Sequence, residues 1–180
     1  MKNRGIYLLL FLLLMQAGFS QEIFQSPNTR ISFFSSAPVE DIEAVSKQGT
    51  SVYNSVTGEI IFRVRIRSFN FAKSLMEEHF NENYMESHKY PHATFRGKLS
   101  PIPNTASNEI QTVMILGDLE IHGKVKNRNI PAEVRFVNKE MHLNSNFGVA
   151  NKDHNIKIPR LMFRNIAEVI KVTVEATYNQ

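Results

Sequence analysis

The clearest pattern in the chain is a two-residue alternation over residues 59–69. Ile60, Phe62, Val64 and Ile66 occupy one parity, and Ile61, Arg63, Arg65 and Arg67 occupy the other. Successive strand side chains point to opposite faces, so this spacing predicts a strand with one dry and one wet face. One-sided strands are the habit of antiparallel sheets. The pattern recurs. Ile31 and Phe33 alternate with Arg30 and Ser32, and Phe95 sits between Thr94 and Arg96. Val113, Ile115, Leu119 and Ile121 share a parity, with Gly117 among them, opposite Met114, Leu116, Asp118, Glu120 and His122. Val134 and Phe136 flank Arg135, and Met141, Leu143, Ser145 and Phe147 share a parity. Ile170, Val172, Val174, Ala176 and Tyr178 alternate with Lys171, Thr173, Glu175 and Thr177. Residues 42–47 and 51–56 are weaker strand candidates.

One segment breaks the period. Over residues 73–86, Met76, Phe80 and Tyr84 recur every four positions, with Leu75, His79 and Asn83 beside them. That spacing predicts an amphipathic helix of about three turns, with Asn70 as its cap and Pro91 barring its continuation. Turn signals punctuate the rest. Thr57-Gly58 precedes the arginine strand, and a loop rich in Pro, Asn and Ser runs from Pro101 to Asn108. His122-Gly123 ends a strand, and the polar stretch 126–129 is read as separating it from the next. Eight or nine one-sided strands with one main helix predict a sandwich or a closed barrel, and closure removes exposed edges.

The N-terminus adds a compartment. Lys2 and Arg4 precede an almost wholly apolar run over residues 6–15, followed by Gln16, Ala17, Gly18, Phe19 and Ser20. This is the layout of a secretory signal peptide, with the cut expected between Ser20 and Gln21. The run is roughly half the ~20 residues that a spanning helix needs. A single domain over residues 21–180 is therefore expected, periplasmic or secreted and without a stable membrane anchor. The chain has no cysteine, which excludes disulfides, thiolate metal sites, a cysteine nucleophile and a lipidated N-terminal cysteine. The formal charge is +4, and Lys2 and Arg4 would leave with the signal. So small a balance does not point to nucleic acid.

Few residues suggest chemistry. His79, His88 and His92 lie near Glu77, Glu78, Glu82 and Glu86. A metal site needs converging ligands, and Pro91 keeps His88 and His92 off a common helix face, so a solvated face is the plainer reading and no metal ligand is assigned. Asp118 and Glu120 lie two apart, as on a wet strand face. There is no G-x-S-x-G, Gly-rich phosphate loop, H-E-x-x-H or EF-hand spacing; no catalytic residue and no cofactor is assigned. His122 closes a strand just before Gly123, where it can bond a backbone carbonyl, cap a barrel rim or meet a polar ligand group. It is retained as a polar rim candidate. The row Arg63, Arg65 and Arg67 can meet an anionic surface or simply face outward, paired across strands. Thirteen phenylalanines and no tryptophan make the interior phenylalanine-heavy. A barrel of about eight strands either fills itself or holds one small ligand, and periodicity does not choose between them.

Three ordered strings go further: LMEEHFNENYMESHKYPHATFRG over residues 75–97, GDLEIHG over residues 117–123, and residues 147–159 with Phe147, Asp153, Ile156, Ile158 and Pro159. Together they resemble the YceI-like family, in the form common among Bacteroidetes. His154 stands where that pattern has tyrosine, and Lys124-Val125-Lys126-Asn127 where it more often has valine and threonine beside a basic residue. The resemblance implies a mainly β, lipocalin-like extended antiparallel barrel of about eight strands with one main helix. It also implies an apolar ligand such as a polyisoprenoid, a quinone or a fatty-acyl lipid. The candidate lining is then Phe33, Phe62, Val64, Phe80, Phe95, Val113, Ile115, Leu119, Ile121, Phe136, Phe147, Val172 and Val174. Two other readings stay open: a filled barrel acting through surface protein interactions, and an enzyme using His122 or His79.

Overall fold

The computed structural model describes residues 23–36, 38, 40–159 and 166–180. The expected signal peptide and its cut lie outside them. The strands are β1 (Ile23–Ser35), β2 (Ile42–Asn54), β3 (Glu59–Arg65), β4 (Asn70–Phe71), β5 (His92–Ser100), β6 (Gln111–Ile121), β7 (Lys124–Val137), β8 (Glu140–Ala150) and β9 (Val169–Tyr178). They pair in the order β1-β9-β8-β7-β6-β5-β3-β2, and β1 also pairs with β2. The pairings are antiparallel, so eight strands form a closed barrel, the form that the resemblance implies and one of the two that the strand pattern allows, while the two-residue β4 extends from β2. No helix among the described residues is long and apolar enough to cross a membrane.

The two-residue period becomes inside and outside. Ile60, Phe62 and Val64 are buried and Arg63 and Arg65 exposed, so each turn of the pleat removes one apolar side chain from water, worth about 1.5–3 kcal/mol for a fully buried one. The weak candidates at 42–47 and 51–56 join into one long strand, β2, opposite an irregularity in β1 between Ser26 and Ile31. Gly117 faces Gly97 across β5 and β6. A Cβ on Gly117 would lie 2.2 Å from the Arg96 carbonyl oxygen, so only glycine allows this approach.

Two expectations need correction. Residues 126–129 are not a turn; they lie in β7, with Lys126 opposite Leu119 and Asn129 opposite Leu116. Side chains 124–127 of β7 are all exposed, so the tip of this hairpin is wet on both faces and its polarity mimics a loop. The helix is also shorter than predicted. α1 spans only Ser74–His79, and Phe80–Tyr84 continues as a wider turn, closed by Met85 N–H donating to the Phe80 carbonyl at 2.9 Å. Asn70 belongs to β4, and α1 starts after Lys73 without a side-chain cap. The helical course stops at Glu86, where φ is 43°, before Pro91 can act. The wide turn adds a residue per turn, which keeps both Phe80 and Tyr84 facing the barrel.

The interior is filled in one half. Phe24 packs edge-on against Phe136 at 5.9 Å between ring centroids and lies 6.2 Å from Tyr53. Leu99, Val113, Val134, Met141 and Tyr178 complete this packing. The Tyr178 hydroxyl bonds Ser51 Oγ at 2.7 Å. The Tyr53 hydroxyl is buried without a partner, and burial pushes its pKa up to about 12.

Candidate functional site

The other half of the barrel is hollow. A cavity of about 470 Å³ lies among the later part of β1, the start of β9, and the ends of β3, β6 and β8 nearest α1. That size falls within the roughly 300–1,000 Å³ typical of small-molecule sites. Eleven of the thirteen candidate lining residues wall it: Phe33, Phe62, Val64, Phe80, Phe95, Ile115, Leu119, Ile121, Phe147, Val172 and Val174. Val113 and Phe136 do not, because they sit in the filled half. Period-two spacing separates inside from outside but carries no information on depth along the barrel. Ile31, Leu143 and Ile170 line the cavity on parities read in the sequence, and Ile130 joins them on the parity of Val134 and Phe136 once β7 is seen to run through it. Phe69, Phe71, Met85 and Ile156 also line it, from short irregular segments with no period to reveal them.

Aromatic rings dominate one wall. Phe80 stacks on Phe33 at 5.3 Å and lies 5.0 Å from Phe71 and 5.9 Å from Phe69. Such pairs contribute about 0.5–1.5 kcal/mol beyond the area they bury, so this cluster anchors the α1 segment. Three polar side chains at the wall are engaged. Ser145 Oγ donates to the Pro131 carbonyl at 2.6 Å, Ser35 Oγ accepts from Ala167 N–H at 2.8 Å, and Asn151 Nδ2 donates to the Ala167 carbonyl at 2.9 Å. Lys73 and Glu40 pair at the rim. Leu75 lines the cavity yet is 59% exposed, which locates the mouth beside α1.

His122 is not at that rim. It is 7% exposed and absent from the cavity wall. It occupies the first position of a two-residue hairpin between Ile121 and Lys124, with φ of 51° at His122 and 66° at Gly123, as a type I′ turn requires. A Cβ on Gly123 would fall 2.6 Å from the Tyr90 ring, which stands edge-on to the imidazole at 4.4 Å. His122 Nε2 lies 2.7 Å from Glu86 Oε2, and Nδ1 lies 3.2 Å from the His154 carbonyl oxygen. Both partners are acceptors, so the ring gives an N–H to each only when doubly protonated. The bond from His122 holds the Glu86 carboxyl below the usual carboxylate range against the opposing effect of burial, with the charges of Lys89, His122 and His88 adding to the lowering.

His154, which has no partner pattern in the sequence, is fully buried beneath this turn. Its Nδ1 donates to the Lys124 carbonyl at 3.0 Å. Burial lowers its pKa, opposed by the carbonyls of Lys124 and Ile121 and by Asp153. Nε2 makes no bond of ordinary geometry, as suits a neutral ring. Two segments read separately in the sequence, 117–123 and 147–159, thus meet at one buried histidine pair. Glu86, their third partner, lies in neither.

The remaining candidates are dispersed. Among the described residues, no three His, Asp or Glu side chains are grouped to hold a metal. His79 lines the cavity; His92 stands at the surface, its Nε2 3.1 Å from Arg63. Arg63, Arg65 and Arg67 face outward, and Arg67 Nε donates to Ser87 Oγ at 3.1 Å. Asp118 and Glu120 are exposed on the outer face, where Asp118 accepts from Asn127 at 3.1 Å.

The sequence profile of the YceI-like domain matches residues 24–178. A polyisoprenoid binding domain from Saccharophagus degradans implicated in plant cell wall breakdown is similar in structure. Its TM-score is 0.75 at 14% identity, over 88% of this chain and 98% of that one. BcnA of Burkholderia cenocepacia has a TM-score of 0.71 at 15% identity, over 83% and 95% of the two chains. The YceI protein of Campylobacter jejuni has 0.65 at 18% identity, over 79% and 86%. At these identities the likeness speaks for the fold. Among curated proteins, none matches the sequence.

Proposed function

This chain belongs to the YceI-like family, and from that premise we propose that it is an exported binding protein holding an apolar molecule, a polyisoprenoid, quinone or fatty-acyl lipid, inside its barrel. The observation that carries the reading is the cavity of about 470 Å³ walled by phenylalanine, isoleucine, leucine and valine side chains. Burying a chain of methyl and methylene groups there is worth about 0.8 kcal/mol per CH₂, and the hydrogen bonds of Ser35, Ser145 and Asn151 limit the polar cost at the wall. The polyisoprenoid binding relative of similar fold supports an isoprenoid over other lipids. Binding is favoured over catalysis because the histidine with the most developed contacts, His122, faces Glu86 and a backbone carbonyl rather than the cavity.

Native mass spectrometry of protein purified without detergent tests the reading. A retained or acquired adduct of one prenol, quinone or fatty acid per chain is expected. A clean apo mass after exposure to each would sink it. Export is tested by N-terminal sequencing of protein recovered from outside the cytoplasm, with Gln21 as the expected first residue.

A further inference from the structure

The segment from α1 to Met85 forms one wall of the cavity, through Met76, His79, Phe80, Tyr84 and Met85. Away from Phe80, this wall is lightly held. Neither α1 nor the wide turn behind it contains a buried residue, and elements with little buried surface open at low free-energy cost. At the near end it is tied by the exposed Lys73–Glu40 pair, a kind of contact that contributes little, and by Phe71 N–H donating to Glu77 Oε2 at 3.3 Å. Phe80 anchors the middle. The far end meets the barrel through Glu86 on His122 at 2.7 Å and Arg67 on Ser87 at 3.1 Å.

Both partners of the 2.7 Å contact hold left-handed backbone, with φ of 43° at Glu86 and 51° at His122. Non-glycine residues are uncommon in that region and persist where surrounding contacts over-determine them. Asparagine would suit the first turn position better, since Asn-Gly is a favoured type I′ pair. Histidine here forgoes that preference. What it gains is reach: one ring nitrogen to Glu86 and the other to the His154 carbonyl, with Tyr90 packed on the ring.

We propose that the Glu86–His122 contact is a latch that holds the wall formed by residues 74–84 against the barrel, and that the cavity exchanges its occupant when the latch releases. The exchange rests on the cavity being a ligand site, as proposed above. The latch itself does not. The exposed Leu75 puts the mouth beside this wall, so outward movement of the wall widens the entrance without opening the eight-stranded barrel.

Two substitutions separate the latch from the turn. His122→Asn creates the favoured Asn-Gly turn and is too short to reach Glu86. Glu86→Asn tolerates left-handed backbone and is too short to reach His122. In the ligand-free protein, hydrogen–deuterium exchange at amides 74–84 is expected to accelerate about tenfold or more in either variant. Amides in the body of β6 and β7, away from the His122-Gly123 turn, should stay unchanged, and the double variant should exchange no faster at 74–84 than His122→Asn alone. Release of preloaded dansyl-labelled farnesol should accelerate in parallel. Unchanged exchange at 74–84 in both variants, or full additivity in the double variant, overturns the latch. Faster exchange with unaltered farnesol release overturns its control of the cavity. Wild-type protein that takes up neither farnesol nor a quinone nor a fatty acid, with exchange responding as expected, leaves the latch standing and removes the ligand reading instead.

Discussion

His122 Nδ1 lies 3.2 Å from the carbonyl oxygen of His154, a residue 32 positions away along the chain. The contact joins the β6–β7 turn to the short helical turn Asn151–His154 that follows β8. Beneath it His154 donates back to the Lys124 carbonyl at 3.0 Å. The two histidines therefore clamp both ends of the same two-residue turn, one bonded to Glu86 at 2.7 Å and the other fully buried.

That difference predicts an acid-sensitive fold. Burial holds the His154 pKa below the ordinary imidazole value, so near pH 6.5 and below the unfolded chain binds a proton that the folded chain does not. Stability is then complete above the unfolded pKa and declines as pH falls toward the folded one. The Glu86 carboxyl, lowered by His122, adds a loss of the same sign at lower pH. Urea midpoints measured from pH 7.5 to 5 should fall, and His154→Phe should flatten that slope. An equal slope in the variant would contradict the assignment.

The filled and hollow halves predict opposite responses to one substitution. Val113 is 1% exposed in the filled half, so Val113→Phe should overpack it at a cost of about 1–3 kcal/mol. Val172 borders the cavity. Val172→Phe should leave thermal stability nearly unchanged and reduce uptake of a prenol several-fold. Paired melting and titration experiments check both.

The unpartnered Tyr53 hydroxyl predicts a stabilising substitution. A buried polar group without a bond costs about 1–3 kcal/mol, and Tyr53→Phe removes it while keeping the ring against Phe24. A urea midpoint raised by the equivalent of about 1 kcal/mol is expected, with the m-value unchanged. A lowered midpoint would mean that the hydroxyl has a partner.

Gly117 should tolerate no side chain. With a Cβ 2.2 Å from the Arg96 carbonyl and 2.4 Å from the Gly97 Cα, Gly117→Ala must separate β5 from β6. A loss of about 3 kcal/mol is expected, at the upper end for overpacking. Gly123→Ala is also disfavoured, but through positive φ and the Tyr90 ring, so it should loosen the Tyr90–His122 contact more than the sheet.

Much of the barrel was legible in the chain because strand geometry is local. An alternation such as Ile60, Phe62 and Val64 against Arg63 and Arg65 sets which side faces in, whatever the strand pairs with. Turn chemistry is local too, and His122-Gly123 marked the end of β6 correctly. The same logic misread residues 126–129, where a solvated hairpin tip carries a loop's composition on a strand's backbone. It also overextended α1, since a period of four is equally served by a short helix and a wide turn.

The amino-acid sequence by itself determined a one-sided antiparallel fold with an apolar, phenylalanine-rich interior. Only the tertiary structure decided where that interior is solid and where it is hollow, placing Val113 and Phe136 in one half and Val172 and Phe147 in the other. It alone brought Glu86, His122 and His154 together and turned His122 away from the cavity. The physical reason is range. Periodicity reports a side chain's direction relative to its own backbone, whereas cavity depth and charged contacts depend on strand register and closure, which join residues far apart in the chain.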